Sequence, residues 1–179
     1  SHGICTKEAL QKLADAGVTT YHHNLESSRR FYPNVCTSHT YNDRINTIKN
    51  AKAVGLNVCS GGIFGLGETI EDRIDMALDL RVLEIHSVPI NVLTPIPGTP
   101  FENNEEVNPF EILKTISIYR FILPKSFLRY CGGRIKLGEQ VKIGLRCGIN
   151  SALTGNFLTT TGTTIETDKK MIKELGYEI

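Results

Sequence analysis

The chain has 179 residues, of which 40% are hydrophobic and 22% are charged. This composition is typical of one globular unit with a sizeable core, and a net charge of only +1 argues against nucleic acid or an anionic membrane as a partner. No apolar run approaches the roughly 20 residues that a membrane span needs, and no signal peptide is recognisable, so we expect a cytoplasmic protein with reduced cysteines.

Helical and extended patterns alternate along the chain. The first half is predicted to form a helix at 6–16, a strand at 18–21, a helix at 41–54, a strand at 56–60 and a helix at 70–83. The second half is predicted to form a strand at 88–93, a helix opened by Asn108 and Pro109, a strand at 126–130, a helix at 138–147, a short strand at 150–153 and a helix at 167–175. Strands that alternate with helices indicate parallel βαβ units.

Polar residues recur where these strands end. Asn24, Cys59, Asn91, Arg129 and Thr160 each lie at, or just past, the C-terminal end of a different predicted strand. Both a (β/α)8 barrel and an open doubly wound sheet bind ligands at that edge. Five strands cannot close a (β/α)8 barrel, which typically takes about 250 residues. The sheet is therefore either open, or preceded by roughly three further βα units.

The segment 21–27 combines two imidazoles, an amide and a carboxylate. Adjacent His22 and His23 point to opposite faces of a strand, so they are not expected to share a metal ion. Asn24 and Glu26 are two residues apart and can share a face, where they suit ribose hydroxyls or a ureido group. Polar strand ends are common, so this pattern alone leaves the ligand open.

A glycine-rich turn at 60–69 follows the second strand, but it lacks both the Walker spacing and the dinucleotide-binding GxGxxG spacing. Its glycines are interpreted as allowing close approach to a flat ligand, with Ile63 as an apolar contact, or as a tight turn that needs positive φ. Arg129 lies within a strand suited to burial, where an arginine is rare unless it is paired or bound to a ligand. The hydroxyls of 159–161 suit a carboxylate.

In these segments the chain resembles biotin synthases over nearly its whole length. The resemblance is carried by YHHNLES at 21–27, TSHTYNDR at 37–44, VCSGGIFGLGET at 58–69, VPINVL at 88–93, GTP at 98–100, LRYCGGR at 128–134 and LTTTG at 158–162. It implies that 1–179 is a single domain forming the C-terminal part of a radical-SAM (β/α)8 barrel. The CxxxCxxC segment that binds a [4Fe–4S] cluster in that family is absent from the sequence.

The resemblance also implies an activity. In biotin synthases a reduced [4Fe–4S] cluster splits S-adenosylmethionine (SAM), the resulting radical takes hydrogen from dethiobiotin, and a [2Fe–2S] cluster donates the sulfur of biotin. A flavodoxin or ferredoxin as electron donor and a homodimer are expected for the full-length family. With its [4Fe–4S] ligands outside the sequence, the isolated chain is expected to be inactive.

Site residues follow from the resemblance, position by position. The implied [2Fe–2S] ligands are Cys59 and Arg129; the implied SAM contacts are Asn24, Glu26, Arg44, Ile63 and Thr94; the implied dethiobiotin contacts are Asn24, Asn91, Thr160 and Thr161. A thiolate is a ligand that iron–sulfur clusters require, whereas a guanidinium has no lone pair to give. The role of Arg129 therefore comes from the resemblance alone.

The remaining cysteines are expected to be structural. Cys36, Cys131 and Cys147 match no ligand position. Cys5 is not assigned as a ligand, because the spacing to the following helix implies that the family's cysteine would lie two residues before Ser1. Two alternatives stay open: another radical-SAM barrel, of the hydrogenase-maturation or methylornithine-synthase type, and a non-catalytic remnant. The combination of Cys59 and Arg129 with Asn91 favours biotin synthase.

Overall fold

A computed structural model describes residues 2–156 and 162–178. Its helices are α1 Lys7–Asp15, α2 Tyr41–Ala53, α3 Ile70–Val82, α4 Pro109–Ile122, α5 Val141–Cys147 and α6 Ile165–Glu174, with 3₁₀ turns at Tyr32–Asn34 and Arg134–Gln140. Its strands are β1 Thr20–His22, β2 Asn57–Cys59, β3 Gly62–Phe64, β4 Ser87–Val92, β5 Phe127–Tyr130 and β6 Ser151–Ala152. The alternation of helices and strands predicted from the sequence is confirmed.

The strands form one parallel sheet in the order β1-β2-β4-β5-β6, and β3 pairs with the end of β4. Because every pairing is parallel, the C-terminal ends of the strands lie along one edge. Helices join the consecutive strands except β2 and β3, which are separated by two residues, and the α/β class is as predicted. The path order leaves β1 and β6 as the two edge strands of the described sheet.

Side-chain caps define where the helices begin. In α2, Thr40 and Asp43 form a reciprocal capping box, and Thr69 and Asp72 do the same for α3. Asn108 caps α4 through its side chain, with Pro109 as the first helical residue, as the sequence predicts. These caps hold the first turn of each helix against the loop that arrives from the C-terminal edge of the sheet.

Two predictions of secondary structure need correction. The segment predicted as a glycine-rich turn contains the three-residue strand β3, so the sheet has six strands rather than five. The helix predicted at 138–147 is a 3₁₀ segment followed by α5, because Gly138 adopts φ 51° and ψ −133°, outside the helical region. Glycine alone accepts such backbone angles readily, and the helix therefore restarts after it.

The core lies between the sheet and its helices. Fully buried side chains from both layers meet there, among them Leu10, Ile48, Leu80, Ile116 and Leu128. Across the part of the chain that the structure describes, no helix combines the length and apolar character that crossing a membrane would require.

Candidate functional site

A cavity of about 270 Å³ opens at the C-terminal edge of the sheet. Its walls come from the residues after β1, from β3, from the end of β4 and from the loop after β5. The lining residues are Asn24, Glu26, Ile63, Asn91, Val92, Leu93, Thr94, Ile96, Gly132 and Gly133. Five positions singled out from the sequence, on three separate segments, thus converge on one cavity.

Asn24 and Glu26 are ordered by the backbone of the glycine-rich segment. The Asn24 Oδ1 accepts from the Gly61 amide at 3.1 Å, and the Asn24 Nδ2 donates to the Glu26 carboxylate at 3.3 Å. Glu26 has φ 72°, a left-handed conformation that is unusual outside glycine. Burial raises the pKa of Glu26, while Arg44 and Asn24 oppose that rise. The carboxylate accepts a hydrogen bond from Asn24 and has further lone pairs that suit hydroxyl groups of a ligand.

Two glycines of this segment allow close packing within the protein. A Cβ on Gly61 would meet the Pro89 carbonyl oxygen, and one on Gly62 would lie 2.5 Å from both the Glu26 carbonyl oxygen and the Met76 sulfur. The predicted close approach to a flat ligand stays a prediction. The expectation of positive φ holds for the later part of the segment, where Gly65 has φ 104°.

Beneath this segment lies a buried ion cluster that the sequence did not reveal. Glu68 accepts from the Gly65 amide at 2.9 Å and from the Arg73 Nε at 2.7 Å. The Arg73 Nη1 also reaches Glu111 at 2.6 Å, and its guanidinium lies over the Phe64 ring. The side chains of Arg73 and Glu68 are only 3% and 1% exposed. This cluster fixes the wall of the cavity from below.

Asn91 ties two walls of the cavity together. Its Nδ2 donates to the Gly62 carbonyl at 3.0 Å, and its Oδ1 accepts from the Gly132 amide at 3.1 Å. A carboxamide has two N–H donors and two lone pairs, so one of each remains for a ligand. Asn91 therefore has a structural role together with any binding role.

Cys59 and Arg129 meet on the face of the sheet beside the cavity. The Arg129 Nη2 lies 3.7 Å from the Cys59 sulfur, and it also donates to the Ser87 hydroxyl. The His22 Nδ1 lies 3.4 Å from the same sulfur. Burial raises the pKa of the neighbouring Cys131 thiol to about 11, so that thiol stays protonated at neutral pH. Cys59 is thus the thiol that lies against nitrogen atoms of Arg129 and His22.

Arg44 lies against the cavity without lining it. From α2 it donates through Nη1 to the Asn24 carbonyl at 2.8 Å and through Nε to the Tyr32 hydroxyl at 2.5 Å. Its Nη1 is also 3.7 Å from the Glu26 carboxylate. The structure therefore brings Arg44 together with two of the residues predicted to share its ligand.

Other predicted positions lie elsewhere. Thr160 and Thr161 fall outside the described residues. Cys5, Cys36 and Cys147 are partly buried free thiols that line no part of the cavity. Throughout 2–156 and 162–178, no three His, Cys, Asp or Glu side chains come together as a metal-binding group.

Sequence reasoning missed two neighbours of Cys59. Ser87 faces Cys59 across the β2–β4 pairing and contacts Arg129, but a serine at the start of a strand carries no distinguishing pattern. The position of His22 beside His23 in the sequence does not indicate its contact with Cys59. Strand alternation placed the two imidazoles on opposite faces, and the structure agrees, because His22 is exposed and reaches Cys59 whereas His23 is buried.

Two family models match the chain. Residues 1–80 match the Radical SAM superfamily, and residues 89–178 match the Biotin and Thiamin Synthesis associated domain. Curated biotin synthases are similar over the whole chain: that of Fusobacterium nucleatum subsp. nucleatum is 94% identical over 179 residues, and that of Campylobacter hominis is 59% identical over 177. The chain covers 50% and 55% of these two relatives, and so spans about half the length of the curated relatives it matches.

Solved structures share the fold at low sequence identity. Methylornithine synthase matches 99% of this chain and 57% of its own with a TM-score of 0.81 at 21% identity. HydG, a maturase of the [FeFe]-hydrogenase, matches 98% of this chain and 43% of its own with a TM-score of 0.79 at 19% identity. These likenesses confirm the predicted fold class, a partial (β/α)8-type barrel, and carry no information on activity.

Proposed function

Because this chain belongs to the biotin synthase family, we propose that its site serves the insertion of sulfur into dethiobiotin to give biotin. The activity is proposed for an enzyme in which residues 1–179 form the C-terminal part of the barrel, as a single domain. The observation that carries the proposal is the Cys59–Arg129 contact of 3.7 Å beside a cavity with two carboxamides and a carboxylate.

The chain's own residues suit SAM. The half-buried Glu26 carboxylate would accept hydrogen bonds from the ribose hydroxyls. Ile63 and Thr94 line the same cavity and would supply an apolar and a polar contact for the adenine. Arg44 would pair with the methionyl carboxylate, since a guanidinium binds carboxylates through parallel N–H bonds. When bound with a reduced [4Fe–4S] cluster, SAM supplies the radical that removes hydrogen from the substrate.

Dethiobiotin would be recognised by neutral polar groups at one end and by hydroxyls at the other. Asn24 and Asn91 both line the cavity, and a carboxamide can pair its N–H and C=O with the complementary groups of a ureido ring. Thr160 and Thr161 are proposed to hold the carboxylate. Electron donation by a flavodoxin or ferredoxin, a homodimer and a cytoplasmic location belong to the same proposal.

The thiol of Cys59 fits one ligand position of a [2Fe–2S] cluster, with Arg129 beside it. A single thiol is too few for either cluster, so the other cysteine ligands must come from outside these residues. We therefore expect the 179 residues alone to hold neither cluster and not to cleave SAM. Iron and sulfide analysis after anaerobic reconstitution checks this; stoichiometric [4Fe–4S] uptake with production of 5′-deoxyadenosine would contradict it.

The proposal is tested by Cys59→Ala in the full-length enzyme, with Cys147→Ala as the matched control. Both changes remove one thiol from the barrel, but Cys147 is on α5, away from the cavity. Cys59→Ala is expected to lose the [2Fe–2S] absorbance and biotin formation while the [4Fe–4S] signal persists; Cys147→Ala should keep both clusters. Retention of the [2Fe–2S] absorbance in Cys59→Ala would overturn the assignment.

A further inference from the structure

We infer that Tyr32 is a positioning residue for Arg44, and that it aims the guanidinium at the SAM carboxylate through a directed hydrogen-bond relay to His39. The inference rests on the proposed function, because it takes Arg44 as the partner of that carboxylate. Tyr32 itself does not line the cavity.

Tyr32 holds Arg44 in two ways. It lies in the 3₁₀ turn after β1 and is only 1% exposed. Its hydroxyl accepts the Arg44 Nε–H at 2.5 Å, and the guanidinium carbon lies 5.4 Å from the centroid of its ring. A planar guanidinium held by both a hydroxyl and a ring face has little freedom to rotate.

One direction in the relay is fixed by the chemistry of the groups: arginine only donates, so the Tyr32 oxygen accepts the Arg44 Nε–H. The Tyr32 oxygen also lies 2.9 Å from the His39 Nε2. The inferred relay takes the Tyr32 O–H as the donor of that bond, with His39 Nε2 as the acceptor and the proton of the neutral ring on Nδ1. That nitrogen faces the Ser38 hydroxyl at 3.0 Å and the Cys36 sulfur at 3.4 Å, which complete the chain of acceptors.

The relay decides which edge of Arg44 is available. Tyr32 occupies Nε, and the Asn24 carbonyl occupies one Nη1 proton. Within residues 2–156 and 162–178, no hydrogen bond uses Nη2. The Nη2 protons and the second Nη1 proton are thus available to a carboxylate. Without the Tyr32 hydroxyl, Arg44 would be free to turn toward the Glu26 carboxylate, now 3.7 Å away, and away from the ligand.

Tyr32→Phe in the full-length, cluster-loaded enzyme tests the inference, with Tyr41→Phe as the control. Both tyrosines are buried with their rings in contact, but the Tyr41 hydroxyl donates to Asp79 at 2.8 Å and does not reach Arg44. Tyr32→Phe is expected to raise KM for SAM about 3- to 10-fold, the loss of one hydrogen bond, with kcat within twofold. Tyr41→Phe should leave KM unchanged. With a SAM analogue that carries an amide in place of the carboxylate, the Tyr32→Phe effect should disappear.

Two further variants separate the possible failures. His39→Gln keeps an acceptor for the Tyr32 hydroxyl and should retain a normal KM, whereas His39→Leu should resemble Tyr32→Phe. Arg44→Lys tests the underlying assignment: if it leaves KM for SAM unchanged, the proposed role of Arg44 fails and the relay with it. If Arg44→Lys raises KM but Tyr32→Phe does not, or if the amide analogue shows the same Tyr32→Phe effect, the relay alone is overturned.

Discussion

The cavity and the Cys59–Arg129 pair lie at the same edge of the sheet, but different interactions hold them in place. The cavity side chains are held by hydrogen bonds to neighbouring segments, such as those from Asn91 to Gly62 and Gly132. Cys59 and Arg129 are instead placed by strand register, which sets Cys59 opposite Ser87 on β4 and Arg129 opposite Pro89. The shape of the cavity therefore depends on these hydrogen bonds, whereas the positions of Cys59 and Arg129 follow from strand pairing.

The largest expected effect comes from removing the support beneath the cavity. Arg73→Met leaves the Glu68 carboxylate buried without its partner, which typically costs 3–5 kcal/mol, so we expect about that loss in the free energy of unfolding. Lys52→Met is the control, because Lys52 pairs with a Glu84 side chain that is 78% exposed. That pair should contribute about 1 kcal/mol or less. Urea unfolding measures both.

A second replacement sharpens this prediction. Adding Glu68→Gln to Arg73→Met removes the buried charge, so the double variant should be more stable than Arg73→Met alone. If the Arg73→Met variant loses no more stability than Lys52→Met, the cluster is not the support that its burial indicates. Absorbance of clusters bound through Cys59 should persist in variants that remain folded, since strand register places that thiol.

The next effect is a pH dependence on the cavity side. His23 is 2% exposed, and burial, followed by the nearby Arg44 charge, lowers its pKa to about 4. The unfolded chain binds this proton near pH 6.5 and the folded chain does not until about pH 4. Stability should therefore fall as the pH drops from 6.5 to 4, by about 3 kcal/mol.

Urea unfolding at several pH values checks this slope. His23→Gln should reduce it between pH 6.5 and 4, and His22, whose pKa is also lowered by burial, should leave a smaller slope that His22→Gln removes. His86→Gln, which changes an exposed histidine, should not reduce it. The carboxyl of Asp72 adds to the slope only at the lower end of this window, because most of its contribution is lost below pH 4. Although burial would raise its pKa, hydrogen bonds from Ser28 and other neighbours lower it to about 2. A slope that is undiminished in His23→Gln would mean that another group is responsible.

The sequence predicted the strand-placed pair better than the supports of the cavity. Helix starts at Asn108 and strand ends at Cys59 follow from local patterns, and register then brings distant strand ends together. Strand β3 was missed because three residues next to glycines show no periodicity. The Arg73–Glu111 bond joins positions 38 residues apart. The residues around Arg73 in the sequence do not indicate that its side chain is buried or which carboxylates it pairs with.

A smaller effect on stability than those of Arg73→Met and of His23 protonation, and the effect that bears most directly on the substrate, is expected for Asn91→Ala. The change removes the hydrogen bonds to Gly62 and Gly132, so the unfolding free energy should fall by about 1–2 kcal/mol. A loss of turnover alone would therefore not distinguish a binding role from a supporting one. Asn104 provides the comparison, because its Nδ2 donates to the Gly65 carbonyl at 2.8 Å and its side chain does not line the cavity.

Asn104→Ala should cost about 1 kcal/mol of stability and leave KM for dethiobiotin unchanged. Asn91→Ala should raise that KM about 2- to 10-fold above the KM of Asn104→Ala, because Asn91 lines the cavity and has an N–H and a lone pair left for the substrate. Steady-state kinetics of the full-length enzyme and urea unfolding of the same samples supply both numbers. If the two variants change KM equally, Asn91 supports the cavity wall and makes no contact with the substrate.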